Sequence, residues 1–341
     1  MQMLDTGHFW QSPFIPWASE MPEGWTLLVV HMRASRVKAR VPAVLEVLSL
    51  LGPFQPVALL SGPLADRQGV FWIALDPAFL HPVVQLLPRL GYAFAVDRAV
   101  LAEATDGISA VTELHEHAIT WRGMRYNLVR VYEEDQAFTR NQAPDRRTFL
   151  LESPTGEVRP VQGYRGSGAE LERRGLPVAD ARLLVNLVSP QVVPVSRNLA
   201  FLDPFAGVGG VLIEAIDRGY TVFSVDIDSR LRPGLEQLGA RHEVADAAQL
   251  PFDDNQFVAI ATEPPYHVST RAMLTRAFGE INRVLAPGGR LALLVAAWQV
   301  QFMLEMSEGY GLAVRLASPV NRKGTDVAVL AWEKTKTRHP A

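Results

Sequence analysis

The chain has 341 residues, 48% hydrophobic and 20% charged, long enough for about two domains and too apolar for disorder. It contains no cysteine, which excludes disulfides, thiolate metal centres and cysteine nucleophiles together. The net charge of -3 provides no global basic field for nucleic acid, and lysine occurs only at Lys38, Lys323, Lys334 and Lys336, so the basic residues are nearly all arginine.

The opening run Met1-Gln2-Met3-Leu4-Asp5 has no basic region ahead of an apolar stretch, so no signal peptide is expected. The apolar runs are of strand length, short of the ~20 residues of a membrane span, and a cytoplasmic protein is expected. Thr26 to Met32 reads as a buried strand. Val41 to Leu51 has apolar residues at helical spacing (Val44, Val47, Leu48, Leu51) and stops at Gly52-Pro53. Pro56 to Leu60 and Gly69 to Leu75 read as strands, Pro77 to Leu90 as a helix, and Ala93 to Val96 as a last strand. The order βαββαβ is that of a ferredoxin-like α+β unit.

Residues 100–165 contain strand-like pieces at Met124 to Tyr132, Thr148 to Glu152 and Val158 to Val161. A polar stretch ending in Ala143-Pro144-Asp145 interrupts them. This reads as a β-rich connector, followed by an exposed linker at Gly163-Tyr164-Arg165-Gly166-Ser167-Gly168.

From Leu176 the pattern becomes alternating helix and strand. A helix carrying Ala181, Leu184, Val185 and Val188 precedes a strand at Ala200 to Leu202. A second helix carries Val208, Val211, Leu212, Ala215 and Ile216. Strands follow at Thr221 to Val225, Glu243 to Ala245 and Val258 to Ala261, then a helix over Thr270 to Leu285 and a strand over Arg290 to Ala296 after Pro287-Gly288-Gly289. Strands Leu312 to Val320 and Asp326 to Trp332 close the chain as a hairpin. Such units imply a parallel sheet with helices on both faces and an antiparallel hairpin at its edge. Ligands bind such sheets at the carboxyl ends of the strands.

Those ends carry a consistent chemistry. The first is Asp203-Pro204-Phe205-Ala206-Gly207-Val208-Gly209-Gly210, where glycines permit a tight turn close to a ligand. The acid before the glycines would repel a pyrophosphate and suits a cation, which points to S-adenosyl-L-methionine. Asp226, in Val225-Asp226-Ile227-Asp228, can accept from both ribose hydroxyls, and Asp228 reads as a helix cap. Asp246 can accept from the adenine amino group while the next N–H, that of Ala247, donates to the ring. The fourth end is Thr262-Glu263-Pro264-Pro265-Tyr266-His267. It resembles the (Asn/Asp)-Pro-Pro-(Tyr/Phe) motif of methyltransferases that modify exocyclic amines. An aryl amine is a weak nucleophile, and acceptors on its N–H groups aim its lone pair for in-line displacement. Tyr266 would stack on the flipped base. His267 is open between a base contact and a helix cap.

These residues resemble the class I adenosylmethionine-dependent methyltransferases, with their Rossmann-like α/β sheet and C-terminal antiparallel hairpin. More narrowly they are similar to the THUMP-associated RNA guanosine-N2 methyltransferases. Ala181-Arg182-Leu183-Leu184-Val185-Asn186-Leu187 and the run from Asp203 through Ile213-Glu214-Ala215 carry that resemblance. The motif departs in having Glu263 where the family has Asp or Asn, and residues 100–165 show no THUMP signature. The resemblance implies a ferredoxin-like domain at 1–98, a connector or reduced THUMP-like region at 99–165, and a methyltransferase domain at 166–338. It further implies a tRNA partner and no metal. The expected cofactor residues are Asp203, Phe205, Ala206, Gly207, Gly209, Asp226, Ile227, Asp246 and Ala247, and the expected catalytic residues are Glu263, Pro264, Pro265 and Tyr266. An adenine-N6 methyltransferase of DNA or RNA, and a cofactor-binding RNA-interaction protein without catalysis, remain as alternatives. Two arginine sets either grip RNA or form solvated charged faces: Arg33, Arg36 and Arg40 beside Lys38, and Arg122, Arg125, Arg130, Arg140, Arg146 and Arg147 among Trp121, Tyr126 and Tyr132, with Glu133-Glu134-Asp135 in the same stretch.

Overall fold

A computed structural model describes Ile15 and residues 17–102, 118–134, 148–162, 175–189, 199–322 and 325–335. The expected linker at 163–168, the stretch 143–145, and Arg140, Arg146 and Arg147 lie outside the described residues. No helix among the described residues is long and apolar enough to cross a membrane.

The first half builds one seven-stranded sheet. Its strands are β1 (Trp17–Ala18), β2 (Thr26–Met32), β3 (Val57–Leu59), β4 (Val70–Leu75), β5 (Ala93–Leu101), β6 (Ala118–Trp121) and β7 (Met124–Glu133), in the order β1-β3-β4-β2-β5-β7-β6. Helix α1 (Arg40–Leu50) follows β2, and α2 (Leu80–Leu86) follows β4. The expected helix from 77 to 90 is only seven residues of α-helix between two 3-10 turns. Pro77 and Pro88 stand in those turns, and a proline supplies no N–H to continue a helical ladder. The boundary expected between 98 and 99 falls inside β5, whose last residues pair with β7. Residues read as connector therefore contribute β6 and β7 to this sheet. The other connector strands, β8 (Thr148–Glu152) and β9 (Val158–Gln162), form a separate antiparallel pair.

The second half contains α3 (Val178–Val188), β10 (Ala200–Asp203), α4 (Gly210–Arg218), β11 (Thr221–Asp226), α5 (Arg232–Gln237), β12 (Arg241–Val244) and β13 (Phe257–Thr262). It continues with α6 (Arg271–Val284), β14 (Leu285–Ala296), α7 (Gln299–Glu308), β15 (Leu312–Arg322) and β16 (Thr325–Lys334). The sheet order is β12-β11-β10-β13-β14-β16-β15. The first five strands are mutually parallel, and β16 is antiparallel to both its neighbours. Covered on both faces, β13 and β14 are almost continuously apolar. The chain leaves β10 to one side for β11 and β12, then crosses to the other side for β13. The crevice at such a reversal, beyond the carboxyl ends of the strands, is where this architecture binds ligands.

Three local differences from the expected elements matter. Pro287-Gly288-Gly289 is not a turn before the fifth strand but part of β14, accommodated by Gly288 at φ +77° and a register shift against β13. Helix α7 has no counterpart in the expected series. Strand β16 lies between β14 and β15, so only β15 forms the edge.

The two halves are joined through α3. Arg36 donates to both carboxylate oxygens of Asp180, at 2.9 and 2.8 Å from Nη2, and Tyr92 Oη donates to Asp180 at 2.8 Å. Glu46, fully buried on α1, accepts from Asn186 Nδ2 and from the N–H groups of Gly91 and Tyr92. Gly91 lies so close to α3 that a Cβ there would stand 2.1 Å from the Ala179 carbonyl. The β8–β9 pair docks onto the second half through Phe149, whose ring fills the space a side chain at Gly234 of α5 would need.

Candidate active site

The carboxyl ends of β10 and β13 meet. Asp203, the last residue of β10 and 1% exposed, accepts from Thr262 Oγ1 at 2.5 Å and from Phe205 N–H at 3.1 Å. The loop then turns through Gly207 at φ +49° and Gly209 at φ +78° into α4. Gly209 has a second constraint, since a Cβ there would stand 2.6 Å from Leu238 Cδ1. The loop is pinned from the next strand. Asp226, at the end of β11, accepts from Gly207 N–H through Oδ2 at 2.8 Å and from Asp228 N–H through Oδ1 at 3.0 Å. The Ala206 N–H donates to the Val225 carbonyl.

A cleft of about 300 Å³ opens between this loop and the turn after β13. Of the expected residues, Asp203, Phe205, Ala206, Gly207, Glu263, Pro264, Pro265 and Tyr266 line it. Gly209, Asp226, Ile227, Asp246 and Ala247 are outside its lining. Ile227 is 76% exposed, Ala247 is buried, and Asp246 is exposed, with Oδ1 accepting from Ala248 N–H. Asp228 caps the following 3-10 turn, as expected. His267 also acts as a cap, with Nδ1 accepting from Ser269 N–H.

Among the described residues, the cleft wall carries the carboxylates of Asp203 and Glu263 and no Lys, Arg or His. Asp226 adds a third carboxylate behind the Gly207 loop. Burial pushes the Asp203 carboxyl up from 3.8 to about 7. The bonds from Thr262 and Phe205 N–H oppose that shift, and the charges of Asp226 and Glu263 add to it. A wall of this sign repels phosphates and receives a cation, and the glycine loop leaves room for backbone to approach the ligand. The residues present therefore fit a cofactor bearing an ammonium and a sulfonium.

On the other wall, Tyr266 Oη donates to Glu263 Oε1 at 2.5 Å. Composition and spacing gave no sign of four further contributors. Gly175 and Leu176, just ahead of α3, line the cleft, and Leu176 packs where a side chain at Gly210 would sit. Trp298 and Gln299, at the start of α7, bind the Pro265-Tyr266 turn from behind.

Of the six described arginines expected to hold RNA, four are engaged inside the protein. Arg33 bonds both oxygens of Glu134, Arg36 is buried against Asp180, and Arg40 lies over the Trp72 ring at 5.0 Å. Arg130 is bonded to Asp97 and Glu133, and Tyr126 is buried. Arg122 and Arg125, at the tip of the β6–β7 hairpin, remain exposed. The first set is therefore a structural network rather than a surface, because each guanidinium had a carboxylate or ring nearby in the fold.

Comparison with known proteins agrees with this chemistry. Residues 202–293 match the family described as a methyltransferase domain. A tRNA (guanine(10)-N2)-dimethyltransferase of Pyrococcus abyssi is 38% identical over 134 residues, 35% of this chain and 39% of that protein. A demethylmenaquinone methyltransferase of Deinococcus radiodurans is 36% identical over 101 residues, 27% of this chain and 41% of that protein. The geranyl diphosphate C-methyltransferase structure from Streptomyces coelicolor A3(2) aligns at 16% identity and a TM-score of 0.38, covering 46% of this chain and 80% of that one. The chain spans less than half the length of the curated relatives it matches. It carries a class I, S-adenosyl-L-methionine-dependent methyltransferase domain, and that domain resembles those of the tRNA guanosine-N2 methyltransferases.

Proposed function

We propose that this domain methylates the exocyclic N2 of guanosine in tRNA. The observation that carries the reading is a carboxylate, Glu263, followed by two prolines on the wall of the cofactor cleft. An ionised carboxylate only accepts hydrogen bonds. Guanine offers it two adjacent donors, N1–H and N2–H. Adenine and cytosine each set a ring-nitrogen acceptor beside the amine, which a carboxylate repels. That contrast favours guanine over the adenine-N6 alternative. The likeness to tRNA (guanine(10)-N2)-dimethyltransferases supports the same base and tRNA as the partner.

In this reading Asp203, Phe205, Ala206, Gly207 and Gly209 surround the methionyl part of the cofactor. Asp226 accepts from its ribose hydroxyls, Ile227 covers the adenine, and Asp246 with the Ala247 N–H reads the adenine edge. The cofactor supplies an electrophilic methyl group on a positive sulfur. Glu263 and the Pro264 carbonyl hold the amine hydrogens, which turns the nitrogen lone pair toward that methyl. Methylation would leave N2 with a proton to shed, and Glu263 is placed to take it. Tyr266 stacks on the extruded base. The βαββαβ succession of the first half, with strand order β3-β4-β2-β5 inside the larger sheet, supports a ferredoxin-like unit that presents the RNA.

Nucleoside mass spectrometry of tRNA from a deletion strain tests the reading. Loss of N2-methylated guanosine is expected. Unchanged N2-methylguanosine with loss of N6-methyladenosine would transfer the assignment to adenine.

A further inference from the structure

Pro264 and Pro265, in the turn that presents Glu263, have no N–H, so two successive positions donate no backbone hydrogen bond. What the carbonyls of the turn accept therefore carries more of its positioning. Two consecutive side chains from the start of α7 meet two consecutive carbonyls. Gln299, fully buried, donates from Nε2 to the Pro265 carbonyl at 2.8 Å while its Oε1 accepts from Ala296 N–H at 2.8 Å. Trp298 donates from Nε1 to the Tyr266 carbonyl at 2.7 Å. Ala296 ends β14, the strand beside β13, so Gln299 ties together the ends of two neighbouring strands. Trp298 is itself held by stacking on Phe302 at 6.4 Å between centroids, and the Arg271 guanidinium lies 4.7 Å from the Phe302 centroid. Thr270 Oγ1 adds only a long contact of 3.4 Å to the Pro265 carbonyl, its nearer partner being the His267 carbonyl at 2.6 Å.

We propose that Gln299 and Trp298 are positioning residues for the methyl transfer, fixing the Pro265 and Tyr266 carbonyls and, through them, the Glu263 carboxylate and the Tyr266 ring that receive the base. This rests on the reading of Glu263 as the acceptor for the target amine. Methyl transfer from sulfur to an aryl amine gains most of its rate from alignment, and a displacement of about 1 Å costs on the order of a hundredfold. Neither side chain lines the cofactor cleft, so their loss acts on turnover and not on cofactor binding.

The test compares Gln299→Met, which keeps length and loses both amide bonds, with Trp298→Phe, which keeps the ring stack and loses the N–H. Leu304→Ala, on the same helix and away from the turn, serves as the control for general loss of stability. Transfer is measured to total tRNA from a deletion strain. Both turn variants should lose roughly ten- to a hundredfold in kcat, with KM for tRNA and cofactor Kd within about twofold. The control should keep its kcat at a comparable fall in melting temperature. Unchanged kcat in the turn variants, or an equal loss in the control, overturns the proposal. If the wild-type protein binds cofactor and methylates no tRNA, the substrate reading fails. Hydrogen exchange at the amides of residues 266–270 then decides the brace. Faster exchange in the two turn variants than in the control supports it, and equal exchange removes it.

Discussion

The Tyr266 hydroxyl donates to Glu263 Oε1 at 2.5 Å, closing a ring of contacts across the two prolines. The longer glutamate arm, standing where relatives of this motif carry Asp or Asn, is thereby held at a defined position. Glu263→Ala should abolish methyl transfer while calorimetry still records cofactor binding, weakened by the loss of one carboxylate from the cleft wall. Tyr266→Phe keeps the ring and removes one charge-assisted hydrogen bond of about 1.5–3 kcal/mol. It should lower kcat by ten- to a hundredfold or so. Full activity in Tyr266→Phe would detach this bond from catalysis.

Asp226 has two tasks on one carboxylate, pinning the Gly207 and Asp228 N–H groups and, in the proposed reading, receiving the ribose hydroxyls. Asp226→Ala leaves those donors without a partner at about 1–3 kcal/mol. Calorimetry should record a cofactor Kd at least about tenfold weaker. Wild-type affinity in this variant would remove the ribose assignment.

The buried Asp203 carboxyl, pushed up to about 7, makes cofactor binding depend on pH. Its folded pKa lies above the unfolded value of 3.8, so the native state keeps a proton that the unfolded chain releases. The contribution to stability is complete below about pH 4 and is lost as pH rises through about 7. A cationic ligand favours the carboxylate, so cofactor affinity should climb toward pH 7 and then level off, with proton release below that point. Asp203→Asn should flatten both profiles. Calorimetry in buffers of different ionisation enthalpy reads the proton count directly.

Arg36 and Asp180 form a buried ion pair, with Tyr92 as a third partner. Removing one member of such a pair leaves an uncompensated charge and costs about 3–5 kcal/mol. Asp180→Ala should show this loss in urea unfolding, and replacement at no measurable cost would show the pair to be incidental.

The alternation from β10 to β14 was readable because parallel strands covered on both faces are continuous apolar runs separated by amphipathic helices. The acids at three of the strand ends stood out for the same reason, as Asp203, Asp226 and Glu263 each follow such a run. Helix α7 escaped because Trp298, Val300, Phe302, Leu304 and Met306 alternate with a period of two, as in a strand. Its buried face also includes the polar Gln299 and Ser307. With the helix hidden, so were the two side chains that grip the Pro265-Tyr266 turn. The roles of Arg33, Arg36 and Arg130 were illegible for another reason. Their carboxylate partners Glu134, Asp180 and Asp97 lie 33 to 144 residues away in the chain, and no local pattern records such a distance.

Helix α3 has one further consequence. Leu176, just before its first turn, lines the candidate cleft, while Asp180 and Asn186 along its length hold the first half of the chain. Ligand energy delivered at one end is therefore shared with the contacts at the other. The two halves should melt in a single cooperative transition whose midpoint rises with cofactor concentration, so that a damaged first half reveals itself as weakened cofactor retention.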